Sequence, residues 1–266
     1  MNIVVCVKQV SDPEAPPASF KVDAANNSMV AAAGVNQVIS PFDEQAIEAA
    51  LRLKEAKGGK ITAISLGVNL LRDVVKKPLS MGADDLVLLE DESFTKGDSW
   101  TTANALAAAI KKLGAVDVVI CGRQAADTDA GQVGPGIAEF LGWPSVTVAK
   151  KIEAMDGKLK VERVAADGFE VVETALPALI TVSNELGEPR YPTIKGIMAA
   201  KKKEPIIWKP ADLGLTADKL STAGKHTKIV KLFQPVKEAK CEIIGGETPE
   251  EAGTKLALKL REAKIL

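Results

Sequence analysis

The segment Cys121-Gly-Arg-Gln-Ala-Ala-Asp-Thr-Asp-Ala-Gly-Gln-Val-Gly-Pro-Gly136 concentrates the groups that can hold a phosphorylated ligand. It follows a predicted strand, Val116–Cys121, and opens a predicted helix, Gly134–Leu141. Nucleotide phosphates settle on free backbone amides at such junctions. Pro135 has no N–H and belongs in the first helical turn, which leaves free amides near Gly131, Gln132, Val133 and Gly134. Arg123 can offer a forked cation to a phosphate, with Gly122, Gln124 and Ala125 shaping the turn. Asp127, Thr128 and Asp129 can hold hydroxyls or cap the helix, and the acids are expected to face sugar or ring polar groups. The same pattern also fits a glycine-rich turn with no ligand. No GxxxxGK[ST] is present, and Gly134-Pro-Gly136-Ile-Ala-Glu139 fails GxGxxG at its last position, so a P-loop or a standard dinucleotide dehydrogenase is disfavoured.

Three other chain ends are expected on the same edge: Val7-Lys8-Gln9-Val10, Leu66-Gly67-Val68 and the helix start Ser40-Pro41-Phe42-Asp43. Lys8 is either a solvated lysine or the partner of an anion. Cys6 and Cys121 read as inert buried thiols. The chain has one histidine, His226, in a polar stretch where it reads as a surface residue. That count removes His-clustered metal sites and leaves Ser–His or Cys–His catalysis resting on one residue.

The elements that must position these groups alternate. Ile3–Val7, Lys60–Leu66, Leu86–Leu89, Val116–Cys121 and Ser145–Val148 read as strands. Pro41–Lys57, about Leu70 to Met81, Asp98–Leu113 and Gly134–Leu141 read as helices. Ser40 is the expected N-cap of the first helix, Gly58-Gly59 its end, Asp98 or Ser99 the cap of the third, and Pro78 a kink or early stop in the second. This predicts a doubly wound, mostly parallel α/β sheet with ligands at the strand carboxyl ends. Lys150–Met155, Leu159–Ala165 and Phe169–Thr174, joined by Asp-Gly turns, read as a small antiparallel meander, and Pro177–Val182 as a returning strand. Asn184 to Pro210 reads as a loop. The rest reads as an extended C-terminal arm ending in a helix opened by Thr248-Pro249-Glu250-Glu251, a capping box. The division is 1–210, a nucleotide-binding domain with a loop at 184–204, and 211–266, the arm.

The chain has 266 residues, 34 Lys plus Arg against 35 Asp plus Glu, 46% apolar residues and 4% aromatics. A net charge of −1 declares no basic face for nucleic acid, and few aromatics disfavour single-strand stacking. Three widely spaced cysteines point to a reducing compartment, and no apolar run is long enough to insert in a membrane. The expectation is a cytoplasmic protein.

VVCVKQV, AIEAALRLKE, SMGADD at Ser80–Asp85, CGRQAADTDAGQVGP and SNELGEPRYPTIKGIMAAKKKE together resemble the β subunit of electron transfer flavoprotein over nearly the whole chain. A hallmark stretch also appears, from Arg163 through Glu170 to Thr181, although Ala166 stands where an acid is usual. The resemblance implies a heterodimer with an α subunit that binds one FAD. In ordinary members the β subunit holds AMP, and in electron-bifurcating members it holds a second FAD. Arg123-Gln124-Ala125 and Gln132-Val133-Gly134-Pro135 look like the bifurcating pattern. FAD is therefore expected, with AMP as the alternative, passing electrons between a donor such as NADH, the α-subunit FAD and a flavin-dependent dehydrogenase of acyl-CoA or 2-hydroxy acid type. The resemblance also implies that the 184–204 loop docks the dehydrogenase through Ile194. Ile197 and Met198 extend that apolar patch, Arg190 and Tyr191 edge it, and Pro189, Pro192 and Pro205 lower the ordering cost.

Overall fold

A computed structural model describes residues 1–220, 224–235 and 241–266. Strands β1 (Asn2–Val7), β2 (Gln9–Ser11), β3 (Phe20–Asp23), β4 (Ser28–Ala31) and β5 (Gln37–Ile39) precede helix α1 (Pro41–Lys57). Then come β6 (Lys60–Gly67), α2 (Arg72–Val75), α3 (Lys77–Met81), β7 (Asp85–Glu90), α4 (Ser99–Leu113), β8 (Val118–Gly122) and α5 (Val133–Leu141). The chain continues through β9 (Ser145–Ala154), β10 (Lys158–Ala165), β11 (Gly168–Ala175), β12 (Ala178–Val182), α6 (Ile194–Lys202), β13 (Ile206–Trp208), α7 (Ala217–Leu220) and α8 (Pro249–Glu262).

Nine strands form one sheet in the order β11-β10-β9-β12-β8-β1-β6-β7-β13. From β9 to β13 every pairing is parallel, and β10 and β11 extend the sheet antiparallel. The expected α/β class is therefore present, with its meander and terminal helix. Strand alternation divides the core. Ile3, Val5 and Val7 face α1, whereas Val4 and Cys6 face α4 and α5, and all five are buried. Among sheet strands β1 is central, with β6 on one side and β8 on the other. The chain thus reverses direction across the sheet between β1 and β8, which is where open α/β sheets present a crevice.

Several local readings are corrected. The pattern from Leu70 to Met81 is two short helices, because Pro78 sits in the first turn of α3 and cannot continue α2. Ser145–Val148 and Lys150–Met155 are one strand, β9. A register shift and a left-handed Val148 let its first half pair parallel with β12 and its second half antiparallel with β10. Ser40 occupies the N-cap position but does not cap; its hydroxyl accepts the Ala126 N–H instead at 3.3 Å. Thr248 does cap α8, while the Glu251 carboxylate takes the Glu247 N–H rather than completing a capping box.

The stretch read as a loop carries α6, capped by the Thr193 hydroxyl accepting Gly196 N–H at 3.0 Å, and the edge strand β13. Ala200 packs α6 into the core, and Gly196 lies directly on the Ser80 carbonyl of α3, leaving no room for a Cβ. Arg190, expected at the edge of the exposed patch, is held by ion pairs. Its guanidinium turns onto α1, 2.7 Å from the Glu48 carboxylate and paired also with Glu55. Glu48 has only 6% of its side chain exposed, and Arg52 is its other cation. Arg190→Ala would leave Glu48 with half its charge-assisted bonds, and is expected to lower stability by about 1–3 kcal/mol in urea denaturation.

Candidate functional site

At the switch point lies a cavity of about 1230 Å³. Its floor is the carboxyl end of the sheet: Cys6 to Gln9 after β1, Leu66 to Val68 after β6, and Cys121 to Ala125 after β8. One wall is the turn into α5, with Thr128 and Ala130 to Gly134. A further wall comes from Phe94, the start of α4 and the arm residues Lys225 to Ile229, while Asn26 and Asn27 enter from the β3–β4 hairpin tip.

Most sequence-predicted site residues therefore meet around one space: Val7, Lys8, Gln9, Asp43, Leu66, Gly67, Cys121, Gly122, Arg123, Gln124, Ala125, Thr128, Gly131, Gln132, Val133 and Gly134. Val10, Ser40, Pro41, Phe42, Asp127, Asp129 and Pro135 do not line it. Of these, Phe42 supports Arg123, whose guanidinium lies 5.1 Å over its ring. A second, smaller cavity of about 430 Å³ lies between α3 and α6 and contains none of these residues.

Asp43 fixes the floor. Its carboxylate accepts the Lys8 N–H at 2.8 Å and the Gly122 N–H at 3.2 Å, so one side chain in the first turn of α1 ties the ends of β1 and β8 together. A Cβ on Gly122 would stand 2.5 Å from the Asp43 oxygen and 2.8 Å from Phe42, so only glycine lets this carboxylate in. Burial pushes the Asp43 pKa up to about 7, against the opposing pull of the two amides and the Lys8 cation.

The neighbouring acids, expected to face sugar or ring polar groups of a ligand, are exposed and paired with the protein's own groups. Lys8 Nζ holds both Asp127 oxygens at 2.8 and 2.7 Å, and Asp129 accepts from Gln124 at 2.8 Å. Arg123 Nε, by contrast, is buried without a hydrogen-bond partner. That orphaned donor, the amides opening α5 and the exposed Lys225 and Lys228 suit an anionic ligand. Cys6 and Cys121 are free and buried in the floor; the hydrogen bond to Cys6 and burial raise the Cys121 thiol well above its usual range. His226 is exposed as expected, but it also forms part of the cavity wall, stacked on Trp100 with ring centroids 4.7 Å apart.

A family model described as "Electron transfer flavoprotein domain" matches residues 28–213. The chain belongs to the electron transfer flavoprotein family. Its relatives within that family place it among the β subunits. It is 42% identical over 251 residues to the electron transfer flavoprotein subunit beta of Thermoanaerobacterium thermosaccharolyticum, covering 94% of each chain. It is 38% identical to the caffeyl-CoA reductase-Etf complex subunit CarD of Acetobacterium woodii over the whole of both chains. It is 34% identical to the acryloyl-CoA reductase electron transfer subunit gamma of Anaerotignum propionicum, again over the whole of both. No helix among the described residues is long and apolar enough to cross a membrane.

Sequence reasoning missed the upper wall of this electron transfer flavoprotein cavity. Asn26, Asn27, Phe94, Gly97 and Thr102 carry no motif, Ser99 was legible only as a possible helix cap, and the arm residues lie about ninety positions from Pro135, the nearest predicted cofactor-binding residue. Asp98 was legible only as a helix cap.

Asp43→Asn keeps one acceptor and turns an N–H toward the other strand end. It is expected to cost about 1–3 kcal/mol, measured by chemical denaturation of the chain without bound nucleotide. Because the folded pKa lies above the unfolded value of about 3.9, the parent should lose stability as pH rises from about 4 to about 7. Measured relative to the variant, the parent's stability should fall over this window, and parallel pH profiles in the two would contradict a protonated Asp43.

Proposed function

We propose that this chain is the FAD-binding β subunit of a heterodimeric electron transfer flavoprotein, and that the cavity between β1 and β8 is the FAD site. The observation that carries this reading is the cavity itself. At about 1230 Å³ it exceeds the roughly 300–1,000 Å³ of ordinary small-ligand pockets, which favours a dinucleotide over AMP. It also places an unpartnered buried Arg123 Nε beside the amides that open α5.

When bound, FAD supplies the one- and two-electron chemistry, and the protein has to bind and orient it and keep water out. In this reading the Gln132 to Gly134 amides and Arg123 receive the pyrophosphate, and Asp43 keeps the two strand ends in register beneath it. Lys8, held by Asp127, keeps a fixed cation at the edge of the floor. No general acid or base is required, in keeping with a chain that has one histidine.

Electron bifurcation is the form of the activity we propose, between a donor such as NADH, the FAD of an α subunit and a flavin-dependent dehydrogenase of acyl-CoA or 2-hydroxy acid type. The Arg123-Gln124-Ala125 and Gln132-Val133-Gly134-Pro135 pattern supports it. So does the full-length similarity to a subunit of a caffeyl-CoA reductase-Etf complex. The dehydrogenase would dock on α6 and the residues just before it, where Tyr191, Ile194 and Met198 are 93%, 80% and 59% exposed. The arm, 211–266, would pack on the α subunit; α8, which buries none of its residues, is its natural contact.

Extraction of the purified αβ complex should give two FAD per heterodimer, and one FAD with one AMP would overturn the reading. Ile194→Ala should leave that stoichiometry intact and slow reduction of the partner dehydrogenase by at least about tenfold in stopped-flow absorbance.

A further inference from the structure

Five hydrogen bonds converge on the Asp98 carboxylate, and they divide between its two oxygens. Oδ1 accepts the N–H groups of Trp100 and Thr101, both at 3.1 Å, which caps α4. Oδ2 accepts the N–H groups of His226 and Thr227 at 2.8 and 2.9 Å and the Thr227 hydroxyl at 3.0 Å. The first oxygen serves the helix and the second serves a segment 128 residues away.

The segment it holds, 225–229, is part of the cavity wall. On its N-terminal side Leu220 is 1% exposed and packed among residues of α4 and β8. Its carbonyl would be 2.9 Å from a Cβ at Gly97, which would also collide with the Thr101 hydroxyl, so the residue before Asp98 must be glycine. On the C-terminal side Leu232 donates its N–H to Asn27 at 3.0 Å, and Asn27 belongs to the same cavity. The His226 ring lies on Trp100, one position into α4. The strap therefore lines the cavity with an anchor on each side, and one Asp98 oxygen accepts three of its donors.

We infer that Asp98 is a positioning residue for cofactor retention: it holds the 225–229 strap as a wall of the nucleotide cavity, so release of the nucleotide requires breaking the strap from Asp98. The inference rests on the reading of this cavity as the nucleotide site.

Asp98→Asn separates the two roles. Its amide oxygen can still accept from Trp100 and Thr101, while its NH2 group meets the donors of His226 and Thr227. Hydrogen exchange and nucleotide release would be measured on the full αβ complex with the nucleotide it carries. The amides of His226 and Thr227 should exchange at least about tenfold faster, those of Trp100 and Thr101 unchanged, and FAD should leave about tenfold faster or more. Thr227→Val, which removes one bond from the strap side and leaves α4 untouched, should accelerate release several-fold. It decides the question if Asp98→Asn does not fold. Unchanged release in the folded variants overturns the inference, as does unchanged protection at His226 and Thr227 in Asp98→Asn. A complex that carries AMP overturns the FAD reading alone, since AMP release then reports on the strap, and a complex with neither nucleotide overturns both.

Discussion

A buried carboxylate under the switch point is the constraint on which this structure turns. Parallel strands that end beside each other leave amides with no ladder partner, and a crevice opened between them exposes those amides to an apolar floor. Asp43 supplies the acceptor for both, from the first turn of the helix that packs beneath. Burying an acid is costly, and here the two amides and the proton it keeps near neutral pH offset that cost. Glycine at 122, the dipeptide Ser40-Pro41 that starts α1, and the end of β1 all have to agree for this one side chain to fit.

The near-balanced charge of the chain looks different once the pairs are located. Around the floor the polar groups are spent locally, with Lys8 paired to Asp127 and the neutral Gln124 amide bonded to Asp129. On α1, Arg190 is spent on Glu48 and Glu55. What stays open at the cavity is a partial set, an Arg123 nitrogen, the amides of a helix start and two lysines of the arm. A net charge of −1 thus conceals a site biased toward anions.

The sheet was legible because its strands are buried on both faces and read as β-branched runs between capped helices, as at Ile3–Val7 and Val118–Gly122. The cavity floor and the turn into α5 were legible for a related reason: glycines, a proline and an arginine at one strand end have few structural uses. Other features left no local signature. Helix α6 is hidden among prolines and lysines, since nine residues show hardly more than two turns of periodicity and only Ala200 is buried. β9 is one strand because Val148 takes a left-handed conformation, which no propensity assigns to valine. The second oxygen of Asp98 and the tip of the β3–β4 hairpin act on segments far away in sequence, and one sequence carries no record of such contacts.

Helix α6 meets α3 backbone against backbone, with Gly196 on the Ser80 carbonyl and no side chain between them. A joint of this kind has no rotamers to absorb load, so it behaves as a stiff mount. α3 leads directly through β7, whose neighbour β6 ends at the cavity with Leu66 and Gly67. Ile194, two residues before the Gly196 contact, is thereby held at a set offset from the sheet. In the docking proposed on Ile194, that joint would act as a spacer that sets how far the partner sits from the cavity.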